Sequence, residues 1–156
     1  MGYQRDIIIN APIETVWKSW TSEVETSKWL APKSHIIFEE GKPYEFFWDE
    51  DPEIDSTIGC TLLKIETWKK LRFEWQGKSE FLDMFMSPHR KTIIEVSFLN
   101  ITNGIKVIVN QEETRDLEKW DEYDKWMADA WEYALTCLKT YCEESHKKIE
   151  EMKDCC

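Results

Sequence analysis

The sequence predicts an α+β domain in which an antiparallel sheet packs against one long C-terminal helix. Apolar residues alternate with polar residues in short segments between residues 44 and 111, a pattern typical of strands with one buried face. From residue 117 to residue 152, apolar residues instead recur at every third or fourth position, as on one face of a helix. Because a sheet with one apolar face needs a cover, we expect the sheet to curl around this helix.

The N-terminal part of the chain predicts one strand followed by two short helices. Tyr3–Asn10 is rich in β-branched residues, which favour a strand. Pro12 suits the first position of a helix, and an apolar helical face follows at Ile13, Val16, Trp17 and Trp20. Ser22 and Glu25 form the S-x-x-E pattern of a capping box, so a second short helix is expected there, ending before Pro32.

The alternating segments indicate which side of the sheet faces the helix. Hairpin turns are predicted near Gly41 and at Asn103-Gly104, and the short spacings leave no room for helices between strands, which favours antiparallel pairing. The side chains expected on the inner face are Phe46, Trp48, Leu63, Phe73, Trp75, Val96, Val107 and Val109.

Length and charge restrict the class of protein. A chain of 156 residues is expected to form a single domain spanning residues 1–156, with about the last ten residues frayed. A net charge of −11 argues against nucleic acid and anionic membranes as partners. The first residues do not have the pattern of a signal peptide, so a cytoplasmic location is expected. The five cysteines match no zinc-binding spacing, and neither a metal nor a cofactor is predicted.

Several motifs resemble those of a known superfamily, and they occur in the same order: "IINAPIETVWKSWT", "WLAP", "GKPYEFFW", "IGCTLLKIETWKKLRFEW", "GIKVIVNQEE" and "WEYALTCLKTYCEE". Together they resemble the SRPBCC superfamily, which includes START domains and the birch pollen allergen, and within it the branch named for the activator of the Hsp90 ATPase. The resemblance implies a helix-grip fold: a curved seven-stranded antiparallel sheet around a long C-terminal helix, with two short helices after the first strand. It also implies a cavity between sheet and helix. One departure from the family pattern is the absence of a proline between Glu66 and Lys70.

Three functional hypotheses follow from the resemblance. The first is non-enzymatic binding of a hydrophobic or aromatic small molecule in the cavity. The second is a chaperone-associated, protein-interacting domain similar to the Hsp90 ATPase activator, and the third is an enzyme that uses the cavity. No nucleophile motif or acid–base pair stands out, so no catalytic residue is assigned. A chaperone and a second copy of the chain are candidate partners besides the small molecule.

The candidate ligand-binding residues are those expected to line the cavity: Trp48, Trp75, Gln111, Trp126 and Ala130. Gln111 is included because it continues an apolar, inward-facing run with a polar side chain. The segment that contains Phe81, Met84, Phe85 and Met86 predicts a lid or an interface, because Met and Phe form adaptable binding surfaces. The tryptophans near the N-terminus (Trp17, Trp20 and Trp29) are interpreted as packing residues, and the acidic stretch Asp49–Asp55 as a solvated loop.

Overall fold

Seven strands and three helices form the part of the chain that the computed structural model describes, which is residues 3–76, 91–111 and 118–154. The side chains of residues 118–121, 153 and 154 are outside this description. In chain order the elements are β1 (Tyr3–Ile9), α1 (Ile13–Thr21), α2 (Glu23–Thr26), β2 (Lys33–Ile36), β3 (Tyr44–Phe47), β4 (Leu62–Glu66), β5 (Lys70–Trp75), β6 (Thr92–Ile101), β7 (Gly104–Gln111) and α3 (Glu118–Asp154). This order confirms the predicted helix-grip arrangement.

The strands pair antiparallel, but they do not all belong to one sheet. Five of them form a sheet in the order β1-β7-β6-β5-β4, whereas β2 and β3 form a separate pair. The stretch before β4 joins the two sheets through an isolated bridge between Pro43 and Thr61. Backbone hydrogen bonds continue on either side of this bridge, from the N–H of Leu62 to Lys42 and from the N–H of Tyr44 to Cys60, and Gly59 nearby has a φ of +84°. The expected seven-stranded sheet is therefore divided into five strands and two.

A β-bulge in β4 changes one predicted side-chain direction. Leu62 pairs with Phe73 and Lys64 pairs with Arg72, so the register shifts between Leu62 and Lys64. Leu62 is fully buried as a result, and Leu63, which was expected on the inner face, is 38% exposed. The prediction for Leu63 was wrong because one extra residue reverses the side to which the next side chain points.

The core lies between the inner face of the five-stranded sheet and α3. The apolar face of α3 buries Tyr123, Met127, Trp131, Leu135, Leu138 and Cys142. Trp20 of α1 is also fully buried and stacks on Trp131 at a ring-centroid distance of 5.9 Å. The hydroxyl of Tyr44 donates a hydrogen bond to the backbone oxygen of Trp20 at 2.7 Å, which satisfies a carbonyl in the last turn of α1.

Polar contacts attach the C-terminal half of α3 to β1. Lys139 Nζ donates to the backbone oxygen of Ile8, and Glu143 accepts hydrogen bonds from Lys139 and from the backbone N–H of Asn10. Burial raises the pKa of Glu143, but the hydrogen bonds from Lys139 and Asn10 outweigh burial and lower it overall. The ionised form of Glu143 therefore stabilises this junction.

The last turns of α3 are exposed to solvent. The helix continues as far as Asp154, and Ile149 and Met152 near its end are exposed. Among the described residues, no helix combines the length and the apolar character needed to cross a membrane.

Candidate functional site

A cavity of about 430 Å³ lies between the open end of the sheet and the N-terminal half of α3. Four parts of the chain form its walls: the end of the α2 turn, the stretch after β3, the end of β5 and one face of α3. The described residues that line it are Trp29, Leu30, Trp48, Asp55, Trp75, Gln76, Trp126, Met127, Ala130, Trp131, Tyr133 and Ala134. The α3 residues follow from helical geometry, because positions four apart, such as Trp126 and Ala130, lie on the same face.

Five of the twelve described lining residues are tryptophans. The rings of Trp48 and Trp75 lie 6.0 Å apart at an angle of 75°, and those of Trp75 and Trp131 lie 5.1 Å apart at 44°. Trp75 and Trp131 are buried, whereas Trp48 is 41% exposed and Tyr133 is 75% exposed. The cavity is therefore a cleft with a buried aromatic floor and an opening to solvent.

Hydrogen bonds fix the orientation of two of these indoles. The Nε1–H of Trp29 donates to the backbone oxygen of Ser19 at 2.7 Å, and that of Trp48 donates to the backbone oxygen of Leu30 at 2.9 Å. Both N–H groups are thus occupied by the protein backbone. What Trp29 and Trp48 offer to a ligand is aromatic ring surface.

The described lining has few polar side chains besides the indoles, namely those of Asp55, Gln76 and Tyr133. Asp55 is the charged residue among the described lining residues, and its φ of 44° places it in the left-handed region. Gln76 donates from Nε2 to the backbone oxygens of Ser56 at 3.1 Å and Ile58 at 3.5 Å. Because its amide nitrogen is already engaged, Gln76 has its oxygen left to offer to a ligand.

Gln111, the polar residue that we expected in the cavity, lies outside the described lining. It is 2% exposed, and its Nε2 donates to Asp124 Oδ1 at 2.6 Å. The hydroxyls of Thr92 and Tyr123 form a second buried polar contact at 3.2 Å. Burial raises the pKa of Tyr123, and the hydrogen bond with Thr92 offsets only part of this effect. Gln111 therefore belongs to a polar layer beneath α3.

Four of the other predicted site residues line the cleft, and the remaining four cannot be placed. Trp48, Trp75, Trp126 and Ala130 lie around the cleft. The proposed lid or interface segment, which contains Phe81, Met84, Phe85 and Met86, falls outside the described residues.

Sequence reasoning missed several residues of the lining. Trp29 was interpreted as packing and Asp55 as part of a solvated loop, yet both line the cleft. Trp131 was recognised as part of the helix face but not as a wall residue. Its spacing of four from Met127 was the available signal. No local pattern marks Asp55, whose position depends on how the acidic loop folds back.

Proteins of known structure share this fold at low sequence identity. Protein MLL2253 from Mesorhizobium loti superposes with a TM-score of 0.73 and 14% identity, over 92% of this chain and 98% of that chain. ChR145 from Cytophaga hutchinsonii gives a TM-score of 0.70 and 19% identity, over 93% and 95%. The Aha1 dimer from Colwellia psychrerythraea gives a TM-score of 0.67 and 14% identity, over 92% and 96%. At these identities the likeness shows the fold alone.

Sequence comparison identifies the family. No curated protein matches the chain. The family model described as activator of Hsp90 ATPase homolog 1-like protein, however, matches residues 10–143, which include every described element except β1 and the end of α3. The chain therefore belongs to the family of activator of Hsp90 ATPase homolog 1-like proteins.

Proposed function

We propose that this protein binds a hydrophobic small molecule in the cleft between the sheet and α3 without converting it chemically. The observation that supports the proposal is the cleft itself, with about 430 Å³ of space, walls of tryptophan and an opening to solvent. Ligand pockets are mostly apolar, with a few placed polar groups, and this volume lies within their usual range. Burial of apolar ligand surface would supply most of the affinity, at about 25 cal/mol per Å².

A fluorescent probe tests this proposal directly. N-phenyl-1-naphthylamine is neutral at neutral pH, and its emission rises when it leaves water. We expect saturable binding to the wild type and loss of binding in Ala130→Phe, which fills the cleft from α3. Thr140→Phe places the same side chain on an exposed part of the same helix and should bind as the wild type does. Absence of saturable binding to the wild type would contradict the proposal, as would unchanged binding by Ala130→Phe.

The second candidate function is interaction with an Hsp90-type chaperone, as the family suggests. A separate aromatic surface at the other end of β5 favours it. Phe38 and Trp68, which are 39% and 44% exposed, flank Trp17 at ring-centroid distances of 6.0 Å and 5.9 Å. Trp68 has a φ of 69°, which is rare for a bulky residue and holds this side chain at the tip of the β4–β5 turn. Exposed apolar surface of this kind is typical of protein interfaces.

The chaperone hypothesis has its own assay, the ATP hydrolysis rate of purified Hsp90. Wild-type protein should increase this rate. Trp68→Asn should abolish the increase, because asparagine tolerates the left-handed backbone and removes the ring. Tyr133→Ser, which changes an exposed aromatic residue at the cleft, is the matched control and should retain the increase. An unchanged rate with wild-type protein would contradict this candidate function.

The remaining hypotheses have less support. A cavity enzyme usually needs an acid–base pair, and the lining as described contains the single carboxyl group of Asp55. A second copy of the chain is a candidate partner because the related protein from Colwellia psychrerythraea is a dimer. Light scattering during gel filtration would give the mass in solution, and a monomer at all concentrations would rule out the homodimer.

A further inference from the structure

The cleft combines aromatic surfaces with hydrogen-bond acceptors, and this combination indicates a class of ligand. We infer that the ligand is an organic cation, an ammonium group carried on an apolar body. The inference rests on the proposed function, since it specifies what the same cleft binds. Three features support it: the ring surfaces of the walls, the polarity of the lining and the charge of the whole protein.

The walls offer the ring surfaces that attract cations. The face of an indole carries negative potential, and tryptophan is the strongest aromatic partner for a cation within about 6 Å. Five tryptophans line the cleft (Trp29, Trp48, Trp75, Trp126 and Trp131). The rings of Trp48 and Trp75 meet at 75°, so they form adjacent walls instead of one flat surface. Walls at an angle can surround a compact group such as a substituted ammonium.

The polar groups of the described lining complement a donor or a positive charge. Asp55 contributes a carboxylate, and no Lys, Arg or His appears among the described lining residues. The amide nitrogen of Gln76 and the indole nitrogens of Trp29 and Trp48 already donate to backbone oxygens. Among the described lining residues, a ligand carboxylate or phosphate would therefore find no basic side chain, whereas an ammonium would find ring faces and the amide oxygen of Gln76.

The charge of the whole chain acts in the same direction. With 31 acidic and 20 basic residues, the protein has a net charge of −11. A field of this sign raises the local concentration of cations and speeds their association. It would repel an anionic lipid or an acidic metabolite that otherwise had suitable apolar surface.

A matched pair of ligands separates charge from shape. Benzyltrimethylammonium and neopentylbenzene differ in one atom, a quaternary nitrogen or a carbon, and have nearly the same outline. Each would compete with N-phenyl-1-naphthylamine for wild-type protein. We expect the cation to displace the probe at a concentration about tenfold lower than the hydrocarbon does. Equal or tighter binding of the hydrocarbon would overturn the inference and leave the hydrophobic-ligand proposal standing. If neither compound nor the probe binds, both proposals fail.

Two altered proteins test the cause of a preference for the cation. Uniform incorporation of 5-fluorotryptophan withdraws electron density from the ring faces with little change in shape. It should reduce the ratio of cation affinity to hydrocarbon affinity about threefold. Asp55→Asn should reduce the same ratio, and asparagine suits the positive φ at this position. Asp51→Asn removes an equal charge from the same exposed loop outside the lining and serves as the control. An unchanged ratio in both the fluorinated protein and Asp55→Asn would overturn the inference.

Discussion

Replacing Trp48 with alanine should separate ligand binding from folding. Trp48 and Trp75 are neighbours on the wall of the cleft, with ring centroids 6.0 Å apart. They differ in burial, since Trp48 is 41% exposed and Trp75 is 3% exposed. Replacing either residue with alanine removes aromatic surface from the wall of the cleft, but only Trp75→Ala leaves a void in the core.

The expected losses of stability follow from this difference. Truncating a buried aromatic residue to alanine lowers the free energy of unfolding by about 3–5 kcal/mol, so Trp75→Ala should cost about 4 kcal/mol. Trp48 buries about three-fifths of its surface, and its removal widens an open cleft instead of sealing a cavity. In the alanine variant, water can donate to the backbone oxygen of Leu30, which accepts a hydrogen bond from Trp48 Nε1 in the wild type. We therefore expect Trp48→Ala to cost about 2 kcal/mol.

Two measurements on the same samples test this prediction. Urea unfolding followed by far-ultraviolet circular dichroism gives the stability without relying on tryptophan emission. Titration with N-phenyl-1-naphthylamine gives the affinity, which should fall by about tenfold or more in both variants, because 1.4 kcal/mol of lost contact is a factor of ten. Probe binding by Trp48→Ala as tight as that of the wild type, or a loss of stability as large as that of Trp75→Ala, would contradict the role given to Trp48.

Three further predictions concern stability and reactivity. A Cβ on Gly104 would lie 2.1 Å from a backbone oxygen of β1, whereas one on Gly41 would meet nothing within 4 Å. In urea unfolding, Gly104→Ala should therefore lower the free energy of unfolding by about 3 kcal/mol or more, and Gly41→Ala should lower it by about 1 kcal/mol. Equal losses in the two variants would contradict the prediction. Glu143→Gln should cost about 1 kcal/mol at neutral pH. Folding lowers the pKa of Glu143 from 4.5, so the stability that its ionised form contributes is present above that pH and is lost as the pH falls through the folded pKa. The free energies of unfolding of wild type and Glu143→Gln should therefore converge in acid, and a difference that persisted there would contradict the prediction. Burial raises the pKa of Cys60 to about 12. Peptide mass spectrometry of the native protein at mildly alkaline pH should therefore show that iodoacetamide modifies half-buried Cys137 before it modifies Cys60.

The order of the elements was predictable from the sequence because each depends on a local pattern. Alternation over Leu71–Trp75 corresponds to the buried positions of β5, and the spacing of three and four residues corresponds to the buried face of α3. The turn at Gly104 follows from its Asn-Gly pair. The bulge at Leu62–Lys64 has no such signal, because either register of β4 would bury a leucine, and packing against β5 decides between Leu62 and Leu63.

The candidate site was predictable in part, and the residue that fell outside it shows why. Alternation along a strand indicates which face of the sheet a residue lies on, and it correctly puts both Trp75 and Gln111 on the inner face, where they are buried. The alternation does not indicate on which side of α3 Trp75 and Gln111 lie. Asp124 and Trp126 are two residues apart on α3, so they point in different directions. Asp124 binds Gln111 towards β1 and β7, whereas Trp126 lines the cleft. The way α3 crosses the sheet decides on which side of the helix an inward-facing residue lies, and this crossing is a tertiary feature that no local pattern shows. For that reason Gln111 became part of the core instead of the cleft.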